Sequence, residues 1–228
     1  MNNKLLIVIA ILLIGLVSTL LFSTYRNNSN PQSEKKDTSP QVQSKDPSSA
    51  RLVIGNPAAP AVLIEYGDFK CPSCNQFHRQ AGKQLRDEYI DNGKLRIEFR
   101  NLPFIGPDSR RAAEGAFCAA DQNKFSAYHD AVFAYMWDSH YSSGSFAAEF
   151  EDVLTTEKLS EIASSAGLDG KKLSVCIQKK THKELVDADL KNSEKDDVTG
   201  TPAFLIGGQK ISGPGSYTLF KTLVDLRL

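Results

Sequence analysis

Cys71-Pro72-Ser73-Cys74 places two thiols two residues apart, a spacing at which the sulfurs can bridge and reopen within one backbone turn. The motif follows a short Gly-Asp-Phe-Lys loop and opens a segment with helical periodicity. At such a position the unpaired amides and the helix dipole favour negative charge on Cys71, so its thiol is expected to ionise well below ~8.5. A stabilised thiolate makes the reduced dithiol stable and the disulfide oxidising. Cys71 is expected as the exposed nucleophile and Cys74, one turn inward, as the buried resolving thiol. A purely structural bridge across two residues would close a very small loop and stabilise little. Thiol–disulfide exchange of this kind needs no cofactor.

Three further groups bear on that chemistry. Glu65 is a carboxylate in an otherwise apolar run. Buried there it costs several kcal/mol unless it is paired or protonated, and it can serve Cys74 as a proton acceptor. The alternative is that it faces solvent at the end of a strand. Thr201-Pro202 directly precedes a second apolar run, where a proline is tolerated at a strand start. Isolated propensity favours trans for this bond. His78 completes a Cys-x2-Cys-x3-His cluster with Cys71 and Cys74. Soft sulfur and imidazole suit copper or zinc, and Cys74 and His78 share a helix face, so a metal-binding or metal-delivery protein is a rival reading.

The elements that must hold these groups are legible from periodicity. Ala61–Tyr66 is a nearly continuous apolar run bounded by Pro60 and Gly67, the pattern of a strand buried on both faces, and Leu52–Ile54 is a shorter candidate. Cys74, Phe77, Ala81, Leu85 and Tyr89 recur at helical spacing behind Pro72, predicting one helix that ends at Asn92-Gly93. Leu95, Ile97 and Phe99 alternate with Arg96, Glu98 and Arg100, predicting a half-buried strand with its charges outward. Helices are expected over 110–120, 125–137 and 156–166, then over 169–191 in two pieces. Ala203–Ile206, Gly207-Gly208 and Lys210–Ser212 read as a hairpin. A last helix places Tyr217, Phe220, Val224 and Leu228 on one face. Phe125, Tyr128, Phe133 and Trp137 read as core of the helical block, and His129, His140 and His182 as structural or exposed. The order is βαβ, a helical block, then ββα.

The chain has 228 residues, 41% of them hydrophobic, and 27 basic residues balance 27 acidic ones. That balance removes the electrostatic reason to propose nucleic-acid binding. Leu5–Phe22 is an uninterrupted low-polarity run behind Lys4, just long enough to cross a hydrocarbon core of about 30 Å. No good small-x-small cleavage site follows, so 1–22 is read as an uncleaved transmembrane anchor, with a cleaved signal segment as the alternative. Residues 23–50 are rich in Ser, Asn, Gln, Pro and Lys and read as a disordered linker. Export follows from either reading.

The run EYGDFKCPSC at 65–74, TPAFLIGG at 201–208 and the helical stretch between them resemble the DsbA family of thioredoxin-fold thiol oxidases, the membrane-anchored BdbD-like members most of all. The resemblance implies an α/β thioredoxin fold, 51–106 with 198–228, carrying an inserted α-helical domain at 107–197. It implies Cys71 as nucleophile, Cys74 as resolving cysteine, Glu65 as buried acid, and Thr201-Pro202 as a cis-proline loop that, with Pro72 and Ser73, meets substrate. It further implies an enzyme that donates disulfides to reduced, unfolded exported proteins and is reoxidised by a quinone-linked membrane partner of the DsbB or BdbC type. A reductase or isomerase of the same fold is the alternative. Ser73 stands where the best-known member has His, which removes a positive charge near the thiolate and implies a weaker oxidant. In an oxidising compartment Cys118 and Cys176 are natural partners for a bridge, worth about 4 kcal/mol by loop entropy. Two buried free thiols are the alternative.

Overall fold

The apolar run behind Pro60 becomes the central strand of a five-stranded sheet. The computed structural model describes residues 52–228. The anchor and linker readings for 1–22 and 23–50 lie outside those residues. Strands β1 (Val53–Ile54), β2 (Ala61–Gly67), β3 (Leu95–Asn101), β4 (Ala203–Ile206) and β5 (Gln209–Ser212) are arranged in the order β1-β3-β2-β4-β5. β2 pairs parallel with β3 and antiparallel with β4, and the remaining pairs are antiparallel. The parallel pair requires a crossover, which the helical segment after Pro72 supplies. The β4–β5 hairpin turns through Gly207 and Gly208, both at positive φ (53° and 81°), as a tight hairpin demands.

Both faces of β2 are covered, which is why its sequence is apolar without alternation. Ala61 and Leu63 join the main core, while Ile64 and Tyr66 face a second cluster with Leu102, Val198 and Ala203. Glu65 has the parity of Ala61 and Leu63, so its carboxylate points into the main core. Behind the cysteine pair, Phe77, Phe204 of β4 and Phe220 form a three-ring cluster with centroids 4.4–5.3 Å apart.

The single helix expected from Pro72 to Tyr89 is broken. α1 (Pro72–Arg79) ends at Gln80, whose backbone (φ −111°, ψ −94°) leaves the helical region. α2 (Ala81–Leu85) then resumes and widens into a π turn over Arg86–Ile90. At the junction a side chain on Gly82 would press within 3.0 Å of the Phe77 carbonyl oxygen, so glycine fits the tightened turn. The π turn adds a residue to the period and buries Tyr89 and Ile90 together.

Five helices lie between β3 and β4 in sequence: α3 (Pro107–Ala120), α4 (Phe125–Met136), α5 (Thr156–Ser165), α6 (Gly170–Gln178) and α7 (Lys183–Lys195). Phe125, Tyr128 and Phe133 of α4 are buried, and Phe133 and Tyr128 meet Phe69 of the cysteine loop at 5.1 and 5.7 Å. The second charged face expected for β3 is not solvent-exposed. Glu98 and Arg100 are buried, with Arg100 bonded to Tyr66 and Asp196 and Glu98 to Arg96, because the stretch from α7 to Asp196 covers that face. The last helix, α8 (Tyr217–Asp225), buries Phe220, Leu223 and Val224, whereas Leu228 lies beyond its end and is exposed. Among the described residues, no helix is long and apolar enough to cross a membrane.

Cys118 of α3 and Cys176 of α6 are joined by a disulfide that spans 58 residues of sequence. A crosslink over that span removes loop entropy from the unfolded chain worth about 4 kcal/mol. The Cys118→Ala/Cys176→Ala double variant is therefore expected to unfold at markedly lower urea, losing up to that amount. An unchanged midpoint would show that the bridge does not constrain the unfolded chain.

Candidate active site

Cys71 is itself the N-cap of α1. Its backbone is extended (φ −73°, ψ 119°), Pro72 occupies the first turn where its missing N–H costs nothing, and the Cys74 N–H donates to Cys71 Sγ at 3.4 Å. The Cys71 thiol in turn donates to the Thr201 carbonyl oxygen at 3.4 Å. The Thr201–Pro202 peptide bond is cis, which brings that carbonyl beside the cysteine loop. Pro202 leads directly into β4, and its carbonyl accepts from Gly213 N–H at 2.8 Å. Both cysteines are free thiols. Cys71 is less accessible than expected for a nucleophile, 5% exposed, while Cys74 is fully buried and Pro72 and Ser73 are partly exposed beside them.

The two thiols are pushed apart electrostatically. A hydrogen bond from the Cys74 thiol lowers the Cys71 pKa most. Burial works against it, the Thr201 side chain and the Cys74 amide add to the lowering, and the Asp68 charge opposes it. The Thr201 hydroxyl is buried without a hydrogen-bond partner, which leaves it free to turn to a thiolate at Cys71. Cys74 moves the other way, well above an ordinary thiol, through burial first and then through its bond to Cys71 and the charges of Cys71 and Glu65. The helix amide anticipated from sequence is present, but the neighbouring thiol contributes more.

A network that sequence reasoning missed fixes the cysteine loop. Asp68 accepts from Ser109 Oγ (2.7 Å) and from the amides of Lys70, Phe104 and Ile105 (2.9–3.2 Å). Burial raises its pKa, and those four bonds pull it back. Lys70, also buried, pairs with Asp108 at 2.8 Å and donates to the carbonyls of Glu149 and Glu151. Asp108 then accepts from the amides of Val153 and Leu154, and Tyr141 donates to the Lys70 carbonyl. The loop is thereby bolted to α3 and to the 149–154 segment.

Glu65 is fully buried, so the solvent-facing alternative is excluded. His78 Nε2 lies 2.9 Å from Glu65 Oε1. The contact has the length of an ion pair, yet neither atom makes a well-aligned hydrogen bond. His78 thus turns to Glu65 and not to the sulfurs. Among the described residues, Cys71, Cys74 and His78 do not gather their ligating atoms within 4.8 Å. Those of Cys118, Cys176 and His182 do, but the two sulfurs there are already bonded to each other. The metal-binding reading is therefore not favoured.

The thioredoxin family profile matches residues 48–226, nearly all of the chain outside its first segment. The chain belongs to the thioredoxin family. It is 28% identical over 229 residues to the probable disulfide bond formation protein D of Bacillus anthracis, covering 97% of this chain and 96% of that one. Among solved structures, oxidised BdbD from Bacillus subtilis superimposes with a TM-score of 0.68 over 78% of this chain and 92% of that one, at 24% identity. Wolbachia pipientis alpha-DsbA1 gives 0.63 over 77% and 89%, also at 24% identity. The fold is the thioredoxin fold, with its βαβ and ββα halves separated by the block of helices α3–α7. Within this thioredoxin-family chain Cys71 lies against the cis-proline turn, and the Glu65 carboxylate on the central strand β2 is close enough for its charge to bear on Cys74.

The opposed thiol shifts have a pH signature. Because Cys71 ionises more easily folded than unfolded, the reduced fold gains stability that is fully present above the unfolded value of about 8.5 and is lost as pH falls through the folded value. Cys74, held up, stays protonated across that window. The stability of reduced minus oxidised protein, measured by urea unfolding, is therefore expected to shrink as pH is lowered from 8.5 toward 4. A difference that stays flat or grows on acidification would contradict a lowered Cys71 pKa.

Proposed function

We propose that this chain is an exported protein-disulfide oxidoreductase that donates the Cys71–Cys74 disulfide to folding extracytoplasmic proteins. The observation that carries the reading is the opposed tuning of the pair: Cys71 is stabilised as a thiolate at a helix N-cap, while its partner, fully buried, is held as a thiol. A disulfide whose reduced form is stabilised in this way gives up its oxidising equivalents readily.

A substrate thiolate attacks Cys71 Sγ of the oxidised pair, the Cys71–Cys74 bond breaks, and Cys74 leaves as a thiolate. In its buried position Cys74 takes up a proton, and Glu65 is the buried carboxyl group whose charge bears on it. The substrate's second thiolate then attacks the substrate sulfur of the mixed disulfide. That forms the substrate disulfide and expels Cys71 as the stabilised thiolate. Two electrons pass from the substrate dithiol to the enzyme. The Thr201 carbonyl, 3.4 Å from Cys71 Sγ, and the cis Pro202 form the wall against which the substrate chain lies, with Pro72 and Ser73 opposite.

We assign 51–106 with 198–228 to the thioredoxin-like domain and 107–197 to the helical insertion, supported by the position of α3–α7 between β3 and β4. The apolar run of 5–22 behind Lys4 supports a membrane anchor that holds the catalytic part outside the cytoplasmic membrane, with a cleaved soluble form as the alternative. Reduced exported proteins are the substrates, and a quinone-linked membrane protein of the DsbB or BdbC type restores the disulfide.

Equilibration with glutathione buffers decides between an oxidase and a reductase. The potential is expected well above the ~−270 mV of thioredoxin, toward the ~−180 mV of protein disulfide isomerase or higher. A value at thioredoxin's would overturn the reading. Introducing a cation beside the thiolate with Ser73→His is expected to lower the Cys71 pKa and move the couple further in the oxidising direction.

A further inference from the structure

We infer that His78 carries protons between a cleft at the protein surface and Glu65, completing the path by which Cys74 is protonated and deprotonated. This rests on the oxidoreductase reading above and concerns a residue that touches no substrate. Cys74 has no exposed surface, and Glu65, its neighbouring carboxylate, has none either. Each opening of the Cys71–Cys74 disulfide must nevertheless deliver one proton to Cys74, and each closure must remove one.

His78 is placed to bridge that gap. Its Nε2 lies 2.9 Å from Glu65 Oε1, and 14% of its side chain remains exposed. It lines a cleft of about 300 Å³ together with Asn75, Arg79, Arg86, His129 and Asp130. Both polar atoms of the Asn75 side chain, and Nε2 of His129, are buried without hydrogen-bond partners. A cleft of that size with open polar valences meets the requirements for holding ordered water. The ionisable groups facing His78 come from every side. Glu65 approaches from β2, and His129 stacks edge-on from α4 with ring centroids 4.5 Å apart. Asp130 approaches beside His129, Arg79 extends from α1, and Lys83 and Arg86 line the cleft from the segment that follows. Burial and the nearby His78 hold His129 neutral, and its Nδ1 is engaged by Asp130 at 2.9 Å, so it is a fixed dipole beside the moving proton.

In the oxidising half-reaction a proton passes from Glu65 to the departing Cys74 sulfur. The carboxylate left behind takes a proton from His78 Nε2 as His78 Nδ1 takes one up from the cleft, so the imidazole passes one proton and keeps its own number. Reoxidation runs the same steps backwards. His78 ends each turnover with the protons it began with, so its part in the relay is read in the rate.

The experiment is single-turnover reduction of the oxidised full chain by a dithiol peptide, with the rate of Cys74 thiol release followed by acid quenching and alkylation. His78→Ala is expected to slow release about 100-fold, the lower end of what positioned proton transfer contributes. Free imidazole, which fits the enlarged cleft, is expected to restore much of the rate, and pyrazole, of the same shape but far less basic, is not. Glu65→Gln is expected to be slow and unresponsive to imidazole. A wild-type rate in His78→Ala, or equal rescue by imidazole and pyrazole, would overturn the relay. His78→Gly provides the same test if the alanine variant does not fold. A wild-type chain that oxidises no peptide at all would instead sink the oxidoreductase reading, which the glutathione equilibrium tests separately.

Discussion

The site depends on the interaction of two thiols at the start of one helix, Cys71 capping it and Cys74 buried in its first turn. The Cys74 thiol and the Cys74 amide both address Cys71 Sγ, and each favours an anion there. The interaction works in both directions: what makes Cys71 easier to ionise makes Cys74 harder, because a thiolate at Cys71 favours a neighbour that keeps its proton. That suits one thiol to the proposed part of nucleophile and leaving group, and the other to holding its proton. The burial of Cys74 against the Phe77–Phe204–Phe220 cluster enforces the division of labour, since an anion would be poorly solvated there.

Such an interaction survives only if the loop that presents Cys71 cannot relax. The Asp68 and Lys70 side chains supply that rigidity by reaching into the helical block, to Ser109 and Asp108 on α3 and to the carbonyls of Glu149 and Glu151. The insertion is thus more than a cover over the sheet. It receives the polar side chains of the active-site loop and satisfies almost every one of them, and a buried ion pair that is fully hydrogen-bonded is one whose geometry is hard to change.

What the sequence disclosed, and what it hid, divides by distance along the chain. The cysteine spacing, the capping proline and the Gly207-Gly208 turn are local patterns, and the structure places each where its chemistry calls for it. The strand periods of β2 and β4 were likewise readable. Arg100 was not, because alternation in β3 is the mark of a solvent face until α7, some ninety positions later, comes to lie across it. Glu65 is visible in the sequence as an anomaly, but its contact with His78 is not. His78 was read against the two sulfurs on its own helix, when a side chain four residues past Cys74 can equally turn back onto the neighbouring strand. The Lys70–Asp108 pair links residues 38 apart and left no signal at all. The break at Gln80 is similarly silent, since the apolar spacing on either side of it is unbroken.

The kind of oxidant follows from how the thiolate is held. The groups that lower the Cys71 pKa are hydrogen-bond donors, Cys74 and Thr201, and the charge that bears on it, Asp68, works in the opposite sense. Lys70, immediately before Cys71, directs its ammonium to Asp108 and not to the sulfur. Ser73 brings no charge where a histidine would bring one. An anion held by short-range donors is little affected by ionic strength, because screening weakens interactions between exposed charges and leaves buried hydrogen bonds intact. It is also held less strongly than one facing a cation in a low dielectric. A couple built this way is expected on the oxidising side of thioredoxin and short of a couple whose thiolate faces a cation, with a poise as steady as the hydrogen bonds that set it.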